Sequence, residues 1–265
     1  MNEQKPPNAI EWTRVWGRRG YTWNVVGGCL HKCRWEMPTG DIAICYAEST
    51  AEGVAQKAYP QGFAHHYWHP ERLDEPLRLK EPTGIFLDSM SDLMGHWVED
   101  EQIQSVLDVC ARADWHIFML LTKNAPRLRK FKFPTNVWVG VSSPPDFYKG
   151  SRLMDGQRER FLERSLEVLF EVDAKTRWMS FEPLSIHAAP IVALWQGALD
   201  WAVIGAASNG KREFAPDTFN LQRLVEVLDA QQVPVFYKGN LRSSEWATEH
   251  WREEFPEPTH VTPMG

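Results

Sequence analysis

The chain has 265 residues, 43% of them hydrophobic and 24% charged, with a net charge of −6 and a pI near 5.9. These values suit a globular protein with ample material for a core, and they exclude the overall basic signature of a nucleic-acid binder. No apolar run approaches the roughly 20 residues of a membrane span, no signal-type apolar region opens the chain, and four cysteines do not make a secreted disulfide scaffold, so a reducing cytoplasm is the expected location.

In chain order, short apolar runs alternate with longer amphipathic stretches. The expected strands are Thr22–Val26, Gly84–Leu87, His116–Leu121, Val137–Val141, Arg177–Ser180, Trp201–Ile204 and Val233–Tyr237. Helical periodicity is clearest over Glu101–Arg112, Arg158–Val172 and Asn220–Gln231. Strand–helix alternation with nearly continuous apolar strands predicts an α/β fold: a partial or full parallel β/α barrel, with an open doubly wound sheet as the alternative. No repeat or linker divides the chain, so residues 1–265 read as a single domain. Thirteen tryptophans serve either a core or a site that stacks planar ligands.

Directly after the first strand come Cys29, Cys33 and Cys45, three of the four cysteines within seventeen residues. Thiolates crowded in this way hold a metal centre. A structural zinc site needs four closed ligands, whereas a cubane iron–sulfur cluster held by three thiolates leaves one iron open for a substrate or cofactor. The spacing C-x3-C-x11-C is not that of a zinc ribbon. Zinc completed by His31, His65 or His66 in a non-catalytic binding protein remains the alternative. Cys110, in an amphipathic helical segment, reads as a buried small apolar side chain.

In a barrel the chemistry gathers where strands end at their C-terminal side. There the chain carries Asp88 and Ser89, then Lys123 and Asn124, Ser142 and Ser143, Glu182, Ser208-Asn209-Gly210, and Lys238 with Asn240. Asp88 and Asp92 suit an acid/base pair or helix caps. Lys123 suits a carboxylate or phosphate, and Glu182 a ligand amine, a ribose hydroxyl or a salt bridge. Arg127, Arg129, Lys130 and Lys132, interleaved with Phe131 and Phe133, suit either a nucleic-acid backbone or a solvated helix end.

Several of these segments occur in a familiar order: Ile10-Glu-Trp-Thr13, Thr22-Trp-Asn24, Gly28-Cys29, Cys45-Tyr-Ala-Glu48, Phe86 to Leu93, Leu120-Leu-Thr-Lys123, Asn136 to Val141, Ser180-Phe-Glu-Pro-Leu184 and Val235-Phe-Tyr-Lys238. Together they resemble a bacteriophage-type family of uncharacterised radical S-adenosylmethionine (AdoMet) proteins, over nearly the whole chain. The usual signature of such enzymes is C-x3-C-x2-C with an aromatic before the last cysteine. Here eleven residues precede Cys45, and Tyr46 follows it. Met37-Pro-Thr-Gly40 supplies a turn within the insert, and closure entropy grows only slowly with loop length.

The resemblance implies a partial barrel with a [4Fe–4S] cluster on Cys29, Cys33 and Cys45, AdoMet on the open iron, and a 5′-deoxyadenosyl radical that abstracts a substrate hydrogen. Asp88, Ser89, Lys123, Ser142 and Glu182 are then the expected grip on AdoMet, with Tyr46 near the adenine. Lys238 and Asn240 are expected to meet substrate, a nucleobase, nucleotide or DNA, and an electron donor is the implied partner.

Overall fold

Seven of the apolar runs form successive strands of one sheet. The computed structural model describes residues 1–6, 9–210 and 212–258. Strands β1 (Gly20–Trp23), β2 (Gly84–Leu87), β3 (Ile117–Thr122), β4 (Val137–Ser142), β5 (Thr176–Phe181), β6 (Trp201–Ile204) and β7 (Val235–Tyr237) each pair in parallel with the next. Spatial order follows chain order throughout. A doubly wound sheet reverses its order partway; this one does not, and so is a barrel-type sheet. Among the described residues β7 and β1 do not pair, so the barrel is partial. Its edges are covered instead: Asn2–Glu3 lies antiparallel on β1, and Glu253 bridges to Phe236 of β7. Covered edges are closed to pairing with another chain.

The α-helices among the described residues are α1 (Tyr46–Glu52), α2 (Asp100–Arg112), α3 (Asp155–Glu171), α4 (Ala189–Leu194), α5 (Thr218–Ala230) and α6 (Glu245–Glu249). Alternation along each strand divides two cores. Phe118, Leu120, Val137, Val139, Ala202 and Ile204 belong to the core that also holds the apolar faces of α2, α3 and α5. Ile117, Met119, Trp138, Trp178, Trp201 and Val203 belong to a second, inner one. Its indoles are in ring contact, Trp12 to Trp178 at 5.1 Å, Trp178 to Trp201 at 5.2 Å and Trp138 to Trp201 at 5.4 Å. Gly140 makes room for them, since a Cβ there would lie 2.3 Å from the Trp178 ring.

The segment before β1 contributes Trp12 and Val15 to this inner core. Residues 34–44 form a hairpin, Arg34–Glu36 against Ile42–Ile44, with Gly40 N–H donating to Met37 O at 2.8 Å in its turn. This hairpin starts from the loop after β1. It pairs with Phe147 in the loop after β4, and Trp35, Met37 and Ala43 pack on Ala207 and Phe214 beyond β6. A segment touching the loops of strands one, four and six crosses the mouth of the barrel.

Candidate metal and cofactor site

The backbone at the end of β1 is tightly fixed. Gly28 has φ +80, and a Cβ there would fall 1.8 Å from His65 O, so only glycine fits. Its N–H donates to Met90 O at 3.1 Å and its carbonyl accepts Ser91 Oγ at 2.6 Å, while Cys29 N–H donates to Phe63 O at 2.9 Å. Four residues on, Cys33 leads into the hairpin. The register pairs Arg34 with Ile44, so Cys33 and Cys45 flank the hairpin's open end. Arg34 clamps that end: its guanidinium donates to both Glu48 carboxylate oxygens, at 2.6 and 2.7 Å, and to Cys33 O at 2.8 Å. The eleven-residue insert therefore separates the two cysteines in sequence without parting them in space.

Burial pushes the Cys29 thiol well up, and the Asp92 charge adds to it; burial likewise pushes Cys33 up to about 12. Each also feels the charge of Cys45. Three soft sulfur donors on one loop suit a thiolate-ligated metal centre. Among the described residues no three His, Cys, Asp or Glu side chains converge as a single ion requires.

Asp92 stands at the middle of the site. It is 5% exposed. Its Oδ2 lies 2.7 Å from His31 Nε2 and accepts Lys123 N–H at 2.8 Å, and its Oδ1 accepts Met94 N–H at 3.0 Å. Burial pushes this carboxyl up, but the His31 hydrogen bond and charge, with the Lys123 N–H, outweigh it and hold it below its usual value. The Lys123 ammonium donates to Ser142 Oγ at 2.8 Å and lies 5.7 Å from the centre of the Trp35 ring. Lys123 and Ser142 are thus brought together, under the crossing hairpin.

A second polar group lies at the ends of β5 to β7. Glu182 and Lys238 form an ion pair, and Asn240 both accepts Ala206 N–H (3.1 Å) and donates to Ala206 O (3.0 Å). Glu11 accepts Gly239 N–H beside them at 3.3 Å. Glu182, assigned to the cofactor, therefore pairs with Lys238, assigned to the substrate.

Asp88 and Ser89 contact the segment that follows β1. Asp88 is buried at φ +52, and its Oδ1 accepts Val26 N–H at 2.8 Å while Oδ2 has no partner. Burial pushes its carboxyl up to about 7. Ser89 Oγ donates to Asn24 Oδ1 at 3.1 Å. Tyr46 begins α1 and is 71% exposed. The basic segment is spent on the protein itself: Arg127 donates to Gly95 O, Val98 O and Asp100, Arg129 pairs with Glu171 and Lys130 with Asp100. Phe131 and Phe133, partly buried, pack against the outer core, while Lys132 is exposed. Cys110 is fully buried. The sequence offered His31 only as a zinc ligand and Asp92 only as half of an acid/base pair or a cap, and it gave no role to Trp35 or Glu11. The spacing of Asp88 and Asp92 offered one signal, and it is Asp92 that the fold sets at the centre.

A family model described as "Protein of unknown function (DUF5131)" matches residues 7–255. No curated protein matches the sequence. Among solved structures, a tyrosine-to-phenylalanine mutant of spore photoproduct lyase has a TM-score of 0.51 at 9% identity, over 85% of this chain and 77% of that one. A cysteine-to-serine mutant of the same enzyme gives 0.51 at 10% identity over the same shares. The lyase complexed with dinucleoside spore photoproduct gives 0.47 at 12%, over 82% of this chain and 63% of that one, so the chain spans less than two thirds of that structure's length. The likeness is one of fold.

Proposed function

We propose that this chain, which belongs to the DUF5131 family of proteins of unknown function, is a radical AdoMet enzyme acting on a nucleobase or nucleotide. The observation that carries the reading is the placement of Cys29, Cys33 and Cys45, one buried and two partly exposed, beyond the C-terminal end of β1 and at the open end of one hairpin in a partial barrel. When bound, a [4Fe–4S] cluster and AdoMet would supply one-electron radical chemistry. Cys29, Cys33 and Cys45 would hold the irons.

The chain's own residues bind and shield. The Lys123 ammonium, oriented by Ser142, meets a carboxylate as a charge-assisted donor. Trp35 offers a planar face above it and, with the rest of the hairpin, keeps bulk water from the mouth. Glu182, Lys238 and Asn240 present a carboxylate, a cation and an amide to the substrate's polar groups, and Tyr46 stands beside Cys45 for the adenine. The Glu182–Lys238 ion pair with Asn240 beside it, apart from the Lys123 site, is the support for a polar, nucleotide-sized substrate. An electron donor supplies the reducing equivalent. Among the described residues no helix is long and apolar enough to cross a membrane.

Anaerobic reconstitution followed by electron paramagnetic resonance (EPR) tests the reading. The expected result is a reduced-cubane signal that changes when AdoMet is added, is lost in Cys29→Ser, Cys33→Ser and Cys45→Ser, and persists in Cys110→Ala. A colourless protein carrying stoichiometric zinc, with no such signal, overturns it.

A further inference from the structure

Helix α4 is apolar on every side: from 188 to 199 the chain carries no charged residue. A helix of that composition belongs in an interior, yet α4 is covered on one side alone. Ala188, Ala189 and Val192 are buried in the outer core, where α4 packs against α3 and α5. On the opposite side Pro190 and Leu194, four positions apart and so on one face, lie in water. Leu194 is 78% exposed, and Ile191 and Trp195 beside it are partly exposed. The strip continues onto both neighbouring helices. At one end the Trp195 ring lies 6.1 Å from Phe170 of α3, which is 53% exposed; at the other, His187 lies 5.8 Å from Phe219 of α5, which is 60% exposed. Phe170, Leu194 and Phe219 leave roughly 350 Å² of apolar surface in water, and the residues between them bring the strip to about 500 Å². Single surface leucines need no account, but a continuous strip of this extent marks an interaction surface.

We propose that this strip is the two-fold interface of a homodimer, with α4 of one copy against α4 of the other. Three features select a second copy of the chain. The strip is uncharged, so a two-fold axis through α4 lays apolar surface on apolar surface and brings no like charges together. The ionic groups that follow Phe170 and Phe219 on their helices are already paired within the chain, Glu171 with Arg129 and Arg223 with Glu226. Two chains of net charge −6 therefore meet here without local repulsion. Together two strips bury about 1,000 Å², the lower bound for a specific interface. That extent corresponds to a dissociation constant on the order of micromolar, not to an obligate pair. The sheet edges are closed by Asn2–Glu3 and Glu253, so copies join through the helical layer and not by extending the sheet.

The test is analytical ultracentrifugation of the full chain under reducing conditions, from well below to well above that concentration. The mass is expected to rise from the monomer's 30.6 kDa to twice that value and to stop there. Leu194→Glu sets a carboxylate on the strip and is expected to weaken the dimer at least about a hundredfold. Its circular dichroism and melting curve are expected to stay unchanged, because the side chain already lies in water. Phe219→Ser is expected to weaken the dimer as well, and it decides alone if Leu194→Glu melts lower than the wild type. Val54→Glu, at an exposed apolar residue outside the strip, is expected to leave the dimer intact. Raising the salt is expected to leave it intact too, since no charges meet across the axis. A wild type that stays at 30.6 kDa at every concentration overturns the proposal. A dimer that survives both strip variants has its contact elsewhere and overturns it. So does a dimer that salt dissociates, or a mass that climbs past two chains, which reveals an open contact in place of a two-fold one.

Discussion

Asp88 is the residue whose chemistry and environment disagree most. Its carboxyl is buried with one oxygen on Val26 N–H and the other unpartnered, and burial raises it to about 7 from 3.8. The folded state then holds the proton longer than the unfolded chain does. The stability this confers is full below about pH 4 and declines as pH rises towards 7, by up to roughly 4 kcal/mol for a shift of this size. Asp88→Asn keeps the acceptor for Val26 and tolerates the left-handed backbone. It is expected to melt higher than the wild type at pH 8 and to lose that advantage by pH 4; a melting difference that does not vary with pH counts against the assignment. Lys123→Ala is expected to retain the cluster while AdoMet affinity falls tenfold or more, since a charge-assisted hydrogen bond contributes about 1.5–3 kcal/mol. Calorimetry on reconstituted protein reads this, and unchanged affinity removes Lys123 from the cofactor's grip. The cysteines and Lys123 were legible because a strand end precedes each loop. The pairing of His31 with Asp92 was not, because they meet across 61 positions and nothing local marks it.

At the scale of elements, the β-strands depend on an interior of interlocked indoles. Gly140→Ala drives a methyl into the Trp178 ring, and overpacking of this kind costs about 1–3 kcal/mol, occasionally more. Its melting temperature is expected to fall by several degrees with secondary structure intact by circular dichroism; an unchanged melting curve contradicts the interior packing described. Strands β2 to β7 lie close to where apolar runs placed them, because runs buried on both faces are dense in Val, Ile, Leu and Trp. The first strand runs over Gly20–Trp23 rather than Thr22–Val26. Val26 pairs with Trp68 in a separate ribbon, a choice made by tertiary contact. Helix α3 starts at Asp155, three residues before the expected Arg158, where Gln157 closes back on Met154 N–H at 2.8 Å. The hairpin at 34–44 was visible only as its turn, since strands of three residues carry too little periodicity to read.

At the scale of the whole molecule, barrel-type order was legible from strand–helix alternation, but the covered edges were not, because they depend on two-residue and single-residue pairings. The same holds for electrostatics: composition located the basic segment, and only the fold shows that Arg127, Arg129 and Lys130 pair with carboxylates of the protein itself. Arg127→Ala with Arg129→Ala is therefore expected to lower thermal stability and to leave the salt dependence of any DNA binding unchanged in gel shifts. Each phosphate that a protein neutralises adds about 0.9 to that slope, so a slope about two units shallower in the double variant restores the segment as a DNA contact. The inner core also has a consequence for how the chain folds. Trp12 lies among indoles from β5 and β6, Trp16 Nε1 donates to Pro256 O at 2.9 Å, and Trp201 Nε1 to Glu254 O at 2.8 Å. Contacts spanning 240 positions close late and slowly. During synthesis, at about 5–20 residues per second, the indoles near the start of the chain must wait for the last strand and the tail beyond it. A nascent chain stalled before residue 250 exposes an aromatic surface that the finished protein hides, and it is in that interval, rather than after folding, that a chaperone has something to hold.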